Sequence, residues 1–385
     1  MYTYSGLGVS ELSSSKIKIL HMGLADKRGG IESFLLNMVG NVDRNIFQFD
    51  FLCYGDEPAC YADFVEYGCN LINMPSRYNL FEYKRFLMAE LAKGYAIFHL
   101  HKNSPIDFLP VLWGSKSQAL VVSHSHNGCH DVGGAGRVAA SVGRCVFSNC
   151  SNLKLACSSD AGEWLFGKNA DFEVFPNAIE LQRYSFDAAS RHRLRALLDI
   201  SEASFVIGLV GRLVSQKNIP FMLRVFSRLI HSGVDAVLVL VGEGEEYEQI
   251  NQLINDLDIQ SKVRMTGRRE DVNEMYSAFD LACAPSIYEG FPFFVLEAQA
   301  SGLPCFVSSA VPCDVQITSL CEALELDEDV WMSRILDLIK EQRLRQPLGH
   351  RDGSAMSRYD VSAAADRLMN LYIDLIADNK KGSRE

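Results

Sequence analysis

One local grammar occurs twice in this chain and limits the folds open to it: a short β-type run, a glycine turn, then a helix with apolar residues at helical spacing. The first copy is the run 16–22, then Gly29-Gly30-Ile31-Glu32, then 33–42. The second is the run 204–210, then Gly211-Arg212 with a loop to Asn218, then 220–231. Strand, glycine loop, helix is how a doubly wound α/β domain opens.

Strand-like runs continue at 47–54, 97–101, 119–123, 153–158 and 173–175, and again at 236–241, 263–266, 281–284 and 304–308. Helical spacing marks 81–92, 188–198, the Glu-rich stretch to 257, 272–279, 293–301 and a closing helix at about 361–377. Strands alternating with helices imply a mainly parallel sheet in each half. A chain of 385 residues is too long for one ordinary core. The expected division is a loose Ser-rich leader at 1–15, a first domain at 16–180 and a second at 181–360. A polar segment, 176–203, reads as the linker between them and the entry into the second. Ligands of such sheets bind at the carboxyl ends of the strands, in a cleft.

Composition removes several function classes. The formal net charge is −11, and an acidic chain gains nothing from neutralising phosphates, so no nucleic-acid partner is expected. Eleven cysteines at irregular spacings form no disulfide framework. Cys145, Cys150 and Cys157 lack metal-ligand spacing, and many free thiols suit a reducing cytosol. The N-terminus has no basic-then-apolar signal pattern and no apolar run is long enough to span a bilayer, so a cytoplasmic location is expected.

The segment richest in chemistry is Glu289-Gly290-Phe291-Pro292-Phe293 through Glu297 to Gly302 and Pro304. Free amides at the start of the helix carry partial positive charge and suit a diphosphate. Pro292 is a normal helix-start residue. Glu289, in the loop, can reach a sugar hydroxyl; Glu297, one turn into the helix, can accept from paired ribose hydroxyls. Arg212 and Lys217 follow a buried strand and can neutralise a leaving diphosphate without a metal. Two Asp-x-Asp pairs, Asp256–Asp258 and Asp327–Asp329, read as solvated faces, and His350-Arg351-Asp352 as a polar stretch without a role. His124 and His126 follow the run 119–123 in one loop with Asn127. Gly29 and Gly30 either let backbone approach a phosphate or acceptor or form a plain tight turn. Gly242-x-Gly244 lacks a third glycine and is weak evidence for a dinucleotide.

The stretch 289–297 resembles the Glu-x7-Glu signature of retaining glycosyltransferases of family 4, which have the GT-B fold. Gly211–Asn218 resembles that family's diphosphate segment. Val241-Gly242-Glu243-Gly244 and Thr266-Gly267-Arg268 resemble its nucleotide-side turns, and Gly29–Glu32 its N-domain glycine loop. Pro176-Asn177-Ala178-Ile179 resembles its linker entry, with Ala178 where glycine is usual. His124–Asn127 and Glu297–Pro304 are closest to bacterial capsule and exopolysaccharide enzymes.

The resemblance implies two Rossmann-like domains facing a central cleft, with the helix at about 361–380 returning to the first. It implies a nucleotide sugar, UDP-linked, as substrate rather than cofactor. Retained anomeric configuration, no metal, and a hydroxyl acceptor on a saccharide or lipid-linked saccharide are also implied. In that scheme Arg212 and Lys217 stabilise the diphosphate, Glu289 holds the sugar and Glu297 the ribose. His126 acts near the anomeric centre, and His124, Gly211, Asn218, Gly242, Gly267, Arg268 and Gly290 through Phe293 line the donor. The segment 77–93, with Tyr78, Phe81, Lys84 and Arg85, is a candidate weak contact with the inner membrane face; a surface helix packed on its own domain is the alternative. Rival functions on the same fold are a nucleotide-sugar epimerase, a phosphorylase, or a non-catalytic scaffold for a partner enzyme.

Overall fold

The computed structural model describes residues 16–26, 29–55, 58–128, 133–341 and 350–382. The expected leader at 1–15 lies outside them, as do the side chains of His350 and Arg351. The chain forms two compact units, one made of residues up to Ala178 together with Val361 onward, the other of Ile179–Asp360.

The first unit holds seven strands: β1 (Ile17–Leu24), β2 (Phe47–Cys53), β3 (Asn70–Asn73), β4 (Ile97–Lys102), β5 (Leu120–Ser125), β6 (Leu153–Ala156) and β7 (Glu173–Val174). They pair in parallel in the order β3-β2-β1-β4-β5-β6-β7. The helix Gly30–Asn41 follows β1, and the closing helix Val361–Gly382 packs beside it. Leu368, Met369 and Tyr372 of that closing helix are buried. Its Arg367 pairs with Glu173 at 2.5 Å and donates to the Val174 carbonyl at 2.9 Å.

The 18-residue helix Gly133–Cys150 has no counterpart in the sequence reading. Its four glycines mask the helical period. One of them has a packing reason: a Cβ on Gly143 would sit 1.8 Å from the Pro105 carbonyl oxygen.

The second unit repeats the plan with six strands: β8 (Phe205–Val210), β9 (Ala236–Val241), β10 (Val263–Gly267), β11 (Leu281–Ala284), β12 (Cys305–Ser308) and β13 (Cys321–Leu324). Their order is β10-β9-β8-β11-β12-β13, again parallel. The helix Ile219–His231 lays Phe221, Met222, Val225, Phe226 and Leu229 onto the sheet. Its Phe221 meets Trp331 of the helix Glu328–Lys340 edge to face, ring centres 5.5 Å apart. Both β13 and this last helix were unread in the sequence. Asp327 is a helix cap, accepting from the amides of Asp329 and Val330.

The crossing between the units falls inside the polar segment 176–203, after Ala178, and the rest of that segment enters the second unit. Its helix Ala188–Leu197 belongs to the second unit, where Arg195 is fully buried. The Arg195 guanidinium bonds to Asp280 at 2.6 Å and to the carbonyls of Ala278, Ser201, Glu202 and Ser204. A basic stretch reads as solvated because Arg is seldom buried unpaired; this one is paired.

In each unit the first strand of the series has neighbours whose connections run to opposite sides, β2 and β4 for β1, β9 and β11 for β8. That reversal opens a crevice at the carboxyl ends of β1/β4 and of β8/β11.

Candidate active site

At the second reversal the chain leaves β8 through Gly211, whose φ of +151° suits glycine. Three strand ends are stitched together here. The Gly211 amide donates to Val241 O, that of Leu213 to Glu243 O, and that of Gly242 to Gly267 O, all at 2.9–3.0 Å. A Cβ on Gly242 would lie 1.9 Å from Gly211 O, and one on Gly244 2.2 Å from Leu213 O. Gly267, at φ +67°, closes β10. These glycines are needed because three turns share one space.

The loop after Gly211 tightens into a short turn, Ser215–Lys217, and Asn218 at φ +51° starts the helix Ile219–His231. Asparagine tolerates that left-handed backbone better than most residues. Arg212 is exposed, and its guanidinium makes no hydrogen bond or ion pair among the described residues. Arg268 is also exposed.

Lys217 points at the loop that follows β11. Its ammonium lies 2.6 Å from Oε1 of Glu289. The same oxygen accepts from Ser286 Oγ at 2.7 Å, and Oε2 accepts from Gln216 Nε2 at 3.2 Å. Gln216 also donates to the Tyr288 carbonyl at 2.9 Å. Glu289 is nearly sealed, 7% exposed, and a buried carboxylate needs such partners. Its first visible task is to hold Lys217.

The helix Phe293–Ala300 begins after Pro292. Glu297 is held from both sides: Tyr184 Oη donates to Oε1 at 3.0 Å and Tyr276 Oη donates to Oε2. Burial, then the adjacent carboxylate, pushes the Tyr276 hydroxyl well above the usual phenol range. It stays protonated and remains a donor. Phe291 is buried and stacks on Tyr359, ring centres 5.7 Å apart. Gly290 and Pro292 are buried and Phe293 is half-buried.

A single cavity of the second unit collects Gly211, Arg212, Lys217, Ser286, Glu289, Pro292 and Phe294, floored by Leu209, Leu240 and Cys283. Asn218, Gly242, Gly267, Arg268 and Glu297 lie outside that lining. Ser286, Gln216, Tyr184 and Tyr276 escaped the sequence reading. Gln216 lies within the motif Gly211–Asn218 but was given no role there; Ser286, Tyr184 and Tyr276 lie in no motif, and Tyr184 falls in the segment read as linker.

In the first unit two expectations are corrected. Gly30 is the first residue of a helix and only Gly29 is its cap. The site there holds a carboxylate of its own: Glu32 accepts from the Gly29 and Ala25 amides, both at 2.9 Å. An anion at this helix start would meet Glu32. His124 is not in a loop; it sits on β5, wholly buried, with the rings of Phe34 and Phe175 edge-on to it. A side chain so enclosed cannot line the donor.

His126 lies just past β5, half-buried. It belongs to a five-histidine cluster with His21 of β1, His99 and His101 of β4, and His124. Registry pairs His21 with His99 and His101 with His124. Residues two apart on a strand share a face, so all five rings meet. Burial first, then neighbouring histidines, lowers these pKa values, to about 3 for His21 and well below the normal range for His99, His101 and His126. Burial alone lowers His124 to about 3, partly opposed by a backbone hydrogen bond. The cluster is neutral near pH 7.

The helix Leu80–Leu91 buries Tyr83, Leu87 and Leu91 while Tyr78 and Phe81 stand 85% and 78% exposed beside exposed Lys84 and Arg85. Among the described residues no helix is long and apolar enough to cross a membrane.

Two parallel-sheet Rossmann-like units, the second with a cationic pocket at its reversal point, make up a GT-B fold. Residues 190–348 match the family described as glycosyl transferases group 1. EpsF of Bacillus subtilis (strain 168), itself a provisionally assigned glycosyltransferase, is 29% identical over 94% of this chain and 97% of its own. An Escherichia coli UDP-Gal:alpha-D-GlcNAc-diphosphoundecaprenol alpha-1,3-galactosyltransferase is 25% identical over 53% of this chain and 54% of its own. Among solved structures, Anabaena HepE in complex with UDP superposes with a TM-score of 0.77 at 17% identity, covering 93% of this chain and all of HepE. That likeness establishes the fold.

Proposed function

We propose that the protein is a retaining hexosyltransferase that moves a sugar from a UDP-linked donor to a hydroxyl of a lipid-linked saccharide during polysaccharide synthesis. The observation that carries this reading is the pocket in which Lys217, fixed by Glu289, and the unpaired Arg212 stand at the start of the helix Phe293–Ala300. Two cations and helix-end amides match a leaving diphosphate, and this neutralisation needs no metal. Glu297, oriented by its two tyrosines, would accept from the ribose hydroxyls. Glu289 would reach the donor sugar while holding Lys217. His126 would donate to the sugar. With Glu289 engaged by Lys217, Ser286 and Gln216, a covalent carboxylate intermediate is disfavoured. A front-face route, in which the departing phosphate takes the acceptor proton, fits the retained configuration.

The UDP part is supported by the HepE complexes with UDP and UDP-glucose. The lipid-linked acceptor is supported by the name of the Escherichia coli relative. The exposed Tyr78 and Phe81 beside Lys84 and Arg85 suit a peripheral position at the inner face of the membrane.

The test is a screen of UDP-, GDP- and ADP-sugars for thermal stabilisation and release of nucleoside diphosphate, with chelator present, on wild type and Glu297→Ala. One UDP-sugar should stabilise and be hydrolysed by the wild type only. Binding of no nucleotide sugar would sink the transferase reading in favour of a scaffold. An altered sugar without transfer would favour an epimerase.

A further inference from the structure

Three rings of the histidine cluster form a wire. His21 Nδ1 lies 3.1 Å from His101 Nε2, and His101 Nδ1 lies 2.8 Å from His126 Nε2. Both contacts are hydrogen-bond length. A neutral imidazole carries one N–H and one lone pair, so His101 accepts at one nitrogen and donates at the other. The wire has only two polarities, and they differ at its ends.

With protons running outward, His21 Nδ1–H donates to His101, His101 Nδ1–H donates to His126, and His126 shows an Nδ1–H. The inner end, His21 Nε2, is then a lone pair. With protons running inward, His126 shows a bare lone pair and His21 Nε2 carries the N–H. That inner nitrogen is buried without a partner, and orphaned buried N–H groups are the rarer kind. Of the rings around His21, Phe51 and His101 lie nearly parallel to it, at 22° and 19°, while Phe49 and His99 are tilted, at 49° and 38°. At the outer end, Nδ1 of His126 is not among the sealed, unpartnered atoms, so an N–H there finds solvent or ligand.

We infer that His21 and His101 are positioning residues that lock His126 in the Nδ1–H tautomer, so that it offers an acceptor oxygen, a sugar hydroxyl or phosphate oxygen, a hydrogen-bond donor in a fixed direction. The ligand part rests on the proposed transferase function; the tautomer does not. The lock also separates the two jobs of the ring. His126 orients and donates, and it does not serve as a base.

The experiment is histidine 15N–13C NMR of the full chain with 15N-histidine, His126 being assigned by its loss in His126→Asn. Between pH 6 and 8 the wild type should show His126 with a protonated-type Nδ1 and an unprotonated-type Nε2, without titrating. In His101→Phe, which keeps a flat ring but cuts the wire, His126 should become a tautomer mixture. If the protein does not fold with Phe there, His21→Phe, which removes only the inner donor, serves the same comparison. Kinetics follow the tautomer: His101→Phe should raise KM for the donor more than it lowers kcat. An Nε2–H tautomer in the wild type overturns the inference, as does titration of His126 near pH 6.5. So does a stoichiometric metal that survives chelation, since three of these rings, His101, His124 and His126, are close enough to share an ion. A locked tautomer with no nucleotide-sugar turnover would leave the wire standing and remove the transferase reading.

Discussion

Lys217 and Glu289 meet at 2.6 Å although 72 residues separate them, one arriving from the end of β8 and the other from the loop after β11. Removing the lysine leaves a nearly buried carboxylate with only neutral partners. Lys217→Ala should lower kcat by about 10²–10³-fold, the scale for losing one preorganised charge donor. Glu289→Gln should cost less in stability but free the ammonium from its position. A double-mutant cycle on steady-state rates reads the coupling; additive effects would show that the pair does not act as a unit.

Glu297 should define the nucleotide end. Truncating it removes a charged acceptor, worth about 1.5–3 kcal/mol, so Glu297→Ala should weaken UDP about 10- to 100-fold. The diagnostic is selectivity. Calorimetry with UDP and its 2′-deoxy form should show a preference in the wild type that vanishes in the variant. Tyr276→Phe should give an intermediate loss, because Tyr184 still holds the other oxygen.

Gly242→Ala should destabilise the second unit by about 3 kcal/mol or more, through clash and positive-φ strain together. The added methyl would fall 1.9 Å from the Gly211 carbonyl at φ +140°. Urea unfolding measures it, and a midpoint equal to wild type would show that the turns can separate.

Arg195→Met should cost about 3–5 kcal/mol, the range for stranding one member of a buried ion pair. Asp280 keeps Arg191 at 2.9 Å, so the lower half of that range is expected. Denaturant unfolding at constant pH checks it.

Acid should destabilise the first unit well above the carboxylate range. The folded pKa values of His21 and His124, about 3, lie below the unfolded value near 6.5. The unfolded chain therefore binds more protons between those limits, and stability is full above pH 6.5 and lost as pH falls toward 3. Each of the two should cost about 2 kcal/mol between pH 7 and 5. Unfolding followed by intrinsic fluorescence at pH 7.5, 6 and 5 would show the decline, and His124→Leu should make it shallower.

The strand ends of the second unit were legible because their constraints are local. Gly211, Asn218 and Gly267 hold positive-φ turns that the sequence marks locally, and Glu289 and Glu297 frame one helix start; the closeness of Gly242 to the Gly211 carbonyl is not local and appears only in the fold. The histidine cluster was half legible. His124 and His126 are adjacent in sequence, but His21, His99 and His101 join them only when β1, β4 and β5 pair in register. The burial of His124 needed Phe34 and Phe175, from a helix and from beyond β7, and no motif links them. Arg195 and Tyr184 were lost in a polar stretch whose composition resembles solvent-facing chain. The helix Gly133–Cys150 was lost to its glycines, at least one of which answers a neighbour, Pro105, rather than its own backbone.

The chain crosses from the first unit to the second after Ala178 and returns at Val361, with Ile179 bridged to Asp360 beside the crossings. During synthesis on the ribosome the first unit must therefore wait. Tyr372, whose hydroxyl lies 2.6 Å from His99 Nδ1, follows the seven strands by about 10–40 s at roughly 5–20 residues per second, and the second unit has that interval to fold ahead of it. The part of the protein made first is the part finished last, and a chain cut short near its end would leave buried His99 without its hydroxyl partner and Glu173 without its surface ion pair.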